Sequence, residues 1–259
     1  MSNAPTLELR GVSKSFGAVQ ALTEVGFTVE SGEVMALVGD NGAGKSTLVK
    51  GIAGIHTFDG GEVLFDGKAA SIHAPKDAGR RGVEVVYQDL ALCDNLDVVE
   101  NMYLGRELHG IGYRLKEPEM ERQAAATLAT LGVTTIRSIR QKVATLSGGQ
   151  RQSIAVARAA MWNSRVVILD EPTAALGVAQ TRLVLDLIRR LAQQGLAVVL
   201  ISHNLHDVFE VADRITVLWL GRNAGVFERR STTQQEIVSA ITGVQGNGAG
   251  VPPHGGELR

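Results

Sequence analysis

Two rhythms of hydrophobic and polar positions alternate along this chain. Val34-Met35-Ala36-Leu37-Val38, Val166-Val167-Ile168-Leu169 and Ala197-Val198-Val199-Leu200-Ile201-Ser202 are short, almost wholly apolar runs. Such runs read as strands buried on both faces, as in a parallel sheet. Leu7-Glu8-Leu9-Arg10-Gly11-Val12 alternates apolar and polar, and Val25-Gly26-Phe27-Thr28-Val29 reads as a second strand, with Ser13-Lys14-Ser15-Phe16-Gly17 between them. Glu62-Val63-Leu64-Phe65 and Glu84-Val85-Val86-Tyr87 are further short strands, the first followed by the turn Asp66-Gly67.

The helical rhythm, apolar at three- and four-residue spacing, covers residues 47–53, 118–131 and 179–194. Pro118 fits a first helical turn, and Gly132 and Gly195 fit helix ends. From about 97 to 162 the pattern is mostly helical, which predicts a helical subdomain carried on an α/β core. Ile215-Thr216-Val217-Leu218-Trp219-Leu220 and Ala224-Gly225-Val226-Phe227 read as closing strands, and 233–242 as a short helix. Residues 243–259 are rich in Gly and Pro and read as a disordered tail. Trp162 and Trp219 read as packing residues. No internal repeat is visible.

Composition narrows the class without naming it. With 259 residues, 44% hydrophobic and 20% charged, the chain has the make-up of a soluble globular protein with a sizeable core. No apolar stretch is long enough to span a bilayer, so membrane association is expected only through a partner. The net charge of −1 gives no reason to expect nucleic-acid binding. Cys93 is the only cysteine, which excludes an internal disulfide and suits a reducing, cytosolic setting. The first residues lack the basic and apolar blocks of a signal peptide.

The chemistry concentrates in a glycine loop. Gly39-Asp40-Asn41-Gly42-Ala43-Gly44-Lys45-Ser46-Thr47 fits G-x-x-x-x-G-K-[ST], with a strand before it and a helix after it. Glycines allow the close backbone approach that an anion needs. Successive N–H groups and the helix N-terminus would face phosphate oxygens. Lys45 would reach the outer phosphates and the Ser46 hydroxyl would hold Mg²⁺. A chance strand-turn-helix is the bland alternative, and the two flanks argue against it. Leu146-Ser147-Gly148-Gly149-Gln150 opens a second helix in the same manner, with Ser147 as N-cap. Taken alone this is as well explained by ordinary capping.

The ordered set of motifs resembles the ATP-binding-cassette (ABC) ATPases over roughly residues 7–242. Leu146-Ser147-Gly148-Gly149-Gln150 is identical to that family's signature. Around it stand the Walker A loop, Gln88 of the Q-loop, the Walker B strand ending at Asp170, then Glu171 and His203. The resemblance implies a P-loop NTPase core with an N-terminal antiparallel β-subdomain and an inserted helical subdomain at about 90–162. It implies one domain over 1–242, ATP and Mg²⁺ as ligands, and head-to-tail pairing in which the signature of one copy closes on the ATP of the other. Asp170, with Ser46 and Gln88, is then the metal-binding set, and Glu171 the base that polarises water. His203 contacts the γ-phosphate, and Phe16 is the aromatic that stacks on adenine.

One residue departs from the pattern. After Pro172-Thr173-Ala174-Ala175-Leu176, where most members carry an aspartate, this chain has Gly177. That puts in doubt how strongly two paired sites are coupled. The tracts from Leu90 to Asn101, around Gly177 and from Ile201 to Phe209 look like the ATPases of monosaccharide importers. That resemblance implies a permease partner, an extracytoplasmic sugar-binding protein acting indirectly, and a peripheral place on the cytoplasmic face of the cell membrane. Leu90, Leu92, Leu96 and Val98 read either as a groove for a permease helix or as subdomain core. A soluble ABC ATPase of the DNA-repair or translation type, and a non-catalytic nucleotide-binding regulator, are the competing readings.

Overall fold

The structure is a computed structural model and describes residues 4–243. All but the first residue of the expected tail, 243–259, lies outside the described residues. Two sheets form its frame. Strands β1 (Leu7–Phe16), β2 (Val19–Val29), β4 (Gly60–Phe65) and β5 (Lys68–Ala69) make an antiparallel sheet in the order β2-β1-β4-β5. The second sheet runs β10-β9-β3-β8-β7-β6, built from β3 (Val34–Gly39), β6 (Val83–Val86), β7 (Val166–Asp170), β8 (Ala197–Ile201), β9 (Arg214–Trp219) and β10 (Arg222–Glu228). Its strands are parallel except β10, which closes one edge as an antiparallel hairpin with β9.

The unbroken apolar runs follow from what lies on each side of this sheet. Val167, Leu169, Val198 and Leu200 face a helical layer, packing with Ile154, Val184 and Ile188. Their neighbours Val166, Ile168, Val199 and Ile201 face the other way, towards Leu48, Ile52 and the antiparallel sheet's Leu9, Val25 and Phe27. A strand sandwiched in this way has no face left for polar residues. The helical layer contains α3 (Val98–Tyr103), α4 (Glu117–Thr130), α5 (Gly148–Met161) and α6 (Val178–Gln193), while α1 (Lys45–Ile52) lies on the opposite face. The short helices α2 (Pro75–Arg80) and α7 (Leu205–Val211) and the helix α8 (Gln234–Ile241) complete the described residues' α-helices.

Several expectations need correction. The hydrophobic pattern predicts a link between two strands at residues 13–16, yet they continue β1, paired with β2 as far as Phe16↔Val19. The register shifts three times between Leu9 and Ser15, and such bulges destroy the alternation that marks a strand. Within 97–162 only 98–103, 117–130 and 148–161 are α-helical; the rest is turns and short 3₁₀ pieces. Trp162 does pack, with Tyr103 edge-on at 5.2 Å and Arg106 over its face at 5.2 Å. Trp219 is 41% exposed and packs on Gly243, where a Cβ would lie 2.5 Å from its Cε2. Val98 is fully buried in the core of the helical layer, whereas Leu90 and Leu92 pack only partly against it and Leu96 is half-buried.

Candidate nucleotide site

Parallel strands bring their C-terminal ends to one edge. Register places Asp170 opposite Ile201, Leu37 opposite Ile201, Gly39 opposite Leu218 and Val86 opposite Leu169. The residues that follow each strand therefore share that edge. They are the glycine loop after β3, Gln88 after β6, Glu171 after β7 and His203 after β8. This is the edge at which open α/β sheets bind ligands.

The glycine loop needs its glycines for two separate reasons. At Gly39 a Cβ would collide with the carbonyl oxygen of Leu218. At Gly44, with φ +102°, a Cβ would lie 2.7 Å from Leu22 Cδ2 and 2.9 Å from the Ala21 carbonyl. The loop is also tied on its flank: Gly221 N–H donates to the Ala43 carbonyl at 3.1 Å, and Thr23 N–H donates to the Gly221 carbonyl at 2.8 Å. Lys45 Nζ donates back to the carbonyls of Gly39 (2.7 Å) and Asp40 (3.0 Å). Burial lowers the pKa of that ammonium, while the charges of Glu171, Asp40 and Asp170 oppose the fall.

Asp170 and Glu171 are adjacent carboxylates in different settings. Burial pushes the Asp170 carboxyl above its ordinary range and the Glu171 charge adds to this, with Lys45 and Lys50 pulling it back. Tyr87, next to Gln88, is raised by burial and then by the charge of Asp170, which places the end of β6 near the Walker B acid. Adjacent strand residues normally point to opposite faces. Glu171 escapes that rule with φ +51°, a left-handed backbone, while its N–H stays tied to the Ile201 carbonyl at 2.9 Å. Strain of this kind costs about 1–3 kcal/mol and concentrates at functional sites. The result is that Glu171 Oε2 lies 2.8 Å from His203 Nδ1, with the carboxylate side chain 16% exposed and the imidazole 76% exposed.

Sequence reasoning missed a contact behind this pair. Thr173 Oγ donates to Asp207 Oδ2 at 2.6 Å, and Asp207 is 2% exposed. The bond joins the segment after Glu171 to the first turn of α7, which follows His203. The only signal for it was an acid four residues after His203.

The oxygen donors near the loop, a serine hydroxyl at Ser46, the carboxylate of Asp170 and the amide of Gln88, are the hard type that Mg²⁺ prefers. Gln88 is exposed. Among the described residues it makes no side-chain hydrogen bond to other members of the site. Phe16 ends β1 with half its surface exposed.

The signature stands apart. Ser147 caps α5, accepting from Gln150 N–H at 3.4 Å, while Ser147 N–H donates to Gln150 Oε1 at 2.9 Å and Gln150 Nε2 donates to the Thr135 carbonyl at 2.6 Å. Leu146 is buried with the helical layer, whereas Ala43 and α1 belong to the cluster on the opposite face of the sheet. Ser147 and Gly148 are exposed. A Cβ on Gly148 would meet Leu176 Cδ2 at 3.3 Å, so the signature touches the loop that carries Gly177. At Gly177 itself a Cβ would meet nothing within 4 Å, and φ is −74°.

This geometry defines a phosphate-binding ATPase of the cassette type. The family model described as ABC transporter matches residues 22–174, and the chain belongs to that family. It is 47% identical over 251 residues to the fructose import ATP-binding protein FrcA of Rhizobium meliloti, covering 95% of this chain and 96% of that one. It is 45% identical to the xylose/arabinose import ATP-binding protein XylG of Sulfolobus acidocaldarius, covering 91% and 93%. A ribose import ATP-binding protein of Escherichia coli O157:H7 is 42% identical over 94% of this chain, which spans 47% of that relative's length. Among solved structures, a nucleotide-free ATP-binding cassette from an ABC transporter aligns with a TM-score of 0.77 at 26% identity, covering 92% of this chain and 95% of the other. A dimeric cassette in a post-hydrolysis state, bound to ADP and Pi, aligns with a TM-score of 0.71 at 26% identity, covering 87% and 100%.

Proposed function

We propose that this cassette hydrolyses ATP to drive import of a monosaccharide through a membrane permease, working as a head-to-tail pair of copies. The observation that carries the reading is the near full-length likeness, at 47% and 45% identity, to single-cassette import ATPases for fructose and for xylose or arabinose. The separation of the two anion-binding helix ends onto opposite faces of one sheet supports the pairing: a single copy has a phosphate cradle and a capped signature turn that do not meet. A solved relative in the same fold is a dimer.

In this reading residues 39–47 hold the triphosphate and Phe16 stacks on adenine. Ser46, Asp170 and Gln88 hold Mg²⁺, which neutralises phosphate charge when bound. Glu171 accepts a proton from water, and the His203 imidazole contacts the γ-phosphate and orients that water, with the His203 backbone N–H donating to Glu171 Oε2 at 3.4 Å. Leu146, Ser147, Gly148, Gly149 and Gln150 close on the neighbouring copy's nucleotide, and that closure draws the helical layers together and moves the permease. Among the described residues no helix is long and apolar enough to cross a membrane. In this reading the cassette is held at the cytoplasmic face by its permease. A separate extracytoplasmic protein delivers the sugar.

The test is to trap Glu171→Gln with Mg-ATP and determine its assembly by sedimentation and its nucleotide contacts crystallographically. Two nucleotides, each shared between Lys45 of one copy and Ser147 of the other, are expected. Nucleotide buried within a lone copy overturns the pairing. Co-purification from membranes with a polytopic permease, and sugar uptake by the reconstituted complex, test the transport half.

A further inference from the structure

We propose that His56 is a positioning residue for the nucleotide base, fixing the tilt of the Phe16 ring by edge-to-face contact. The inference rests on the reading of Phe16 as the adenine platform. A half-exposed phenylalanine at a strand end would ordinarily turn among rotamers, and each bound base would have to select one. Here three rings form a ladder: Phe16 and His56 lie 5.5 Å apart at 83°, and His56 and Phe58 lie 6.1 Å apart at 85°. Perpendicular aromatic pairs at this spacing are attractive because ring edges and faces carry opposite partial charge.

The far end of the ladder is keyed to the phosphate-binding helix. A Cβ on Gly51, in α1, would fall inside the Phe58 ring, so helix and ring are in closest contact. The ladder therefore spans from the helix that would hold the phosphates to the ring that would hold the base. The near end is clamped as well. Asp59 accepts from Lys14 Nζ at 2.7 Å and from Ser15 N–H at 2.7 Å, and its own N–H donates to the Ser13 carbonyl at 2.8 Å. Lys14 Nζ is thereby held 5.5 Å from the Phe16 ring centre.

His56 is also the one polar side chain among the described residues whose buried atoms lack partners: neither Nδ1 nor Nε2 has a hydrogen bond. Burial lowers its pKa and the charge of Lys14 lowers it further, while the nearby backbone of Thr57 and Thr47 pulls the other way without making a well-formed hydrogen bond to either nitrogen. What it contributes is a flat wedge, and a phenylalanine would fill the same wedge without burying unpaired nitrogens.

The experiment measures ATP KM and kcat, and the inhibition constant of tripolyphosphate, for full-length wild type, Phe16→Ala, His56→Ala, His56→Leu and His56→Phe. Tripolyphosphate reports the phosphate cradle without a base. For His56→Ala and His56→Leu, ATP KM rises about threefold to tenfold, kcat stays within about twofold and tripolyphosphate inhibition is unchanged. His56→Phe restores the wild-type KM. His56→Leu carries the test if the alanine variant fails to fold. An unchanged KM in both His56→Ala and His56→Leu, beside a raised KM in Phe16→Ala, overturns the positioning role alone. So does failure of His56→Phe to restore KM, or equal weakening of tripolyphosphate. An unchanged KM in Phe16→Ala removes the platform reading, and the inference with it.

Discussion

The two glycine turns of this chain are built on opposite plans. The loop around Gly39 and Gly44 is wedged between β9 and the start of β2, with backbone atoms at the distances where a Cβ would sit. The turn at Ser147 and Gly148 is exposed, and its capping bonds are made to its own Gln150. One is a finished cradle whose shape the surrounding fold dictates. The other is a helix start whose inner side, at Gly149, packs on Gln180 while Ser147 and Gly148 stay exposed. In the proposed pairing, the confined turn holds its own copy's nucleotide and the exposed turn closes on the neighbouring copy's.

The largest effect separates chemistry from binding. Glu171→Gln is expected to reduce steady-state ATP turnover by at least about a hundredfold, the usual contribution of a general base, while equilibrium ATP binding persists. Wild-type turnover would remove Glu171 from the mechanism. The next pair addresses the two turns directly. Gly148→Ala should lower turnover by about tenfold or more and change stability by less than about 0.5 kcal/mol, because its only close neighbour is the end of the flexible Leu176 side chain. Gly44→Ala should cost about 2–4 kcal/mol in denaturant unfolding and abolish ATP binding together, since its neighbours include backbone. Equal stability losses at the two positions would erase the distinction.

Smaller effects sharpen it. Thr173→Val leaves the buried Asp207 carboxylate without its partner and should cost about 1–3 kcal/mol by thermal or chemical unfolding. Asp170→Asn should raise the melting temperature of the nucleotide-free protein at pH 7. The Asp170 carboxyl has a raised pKa when folded, so its ionised form opposes folding at neutral pH. The gain should shrink as pH falls through that raised value and vanish below the ordinary aspartate range. An equal gain at low pH would mean the charge is not its source.

Much of the frame is legible in the amino-acid sequence. The runs at 34–38, 166–169 and 197–201 have apolar residues on both sides of the pleat, and a sheet covered on both faces leaves no other pattern. The glycine loop, Gln88, Glu171 and His203 are legible because each follows one of the short strands, and residues 146–150 because they open a helix with a capping serine and two glycines. What stays hidden depends on interactions distant in sequence or on elements too short to show a period. The second half of β1 is masked by bulges, and α2 and α7 span six and seven residues, under two helical turns. The left-handed turn at Glu171 is fixed by a bond to Ile201, thirty residues on. The Thr173–Asp207 and Phe16–His56 contacts likewise join residues that no local spacing relates.

Gly177 begins α6 in an extended conformation open to any amino acid, with free space where a side chain would go. One base change turns any glycine codon into an aspartate or glutamate codon, so an acid is within a single mutational step and folding raises no barrier to it. The fold therefore sets no limit on what stands at this position, and selection there acts on something other than the ability to fold.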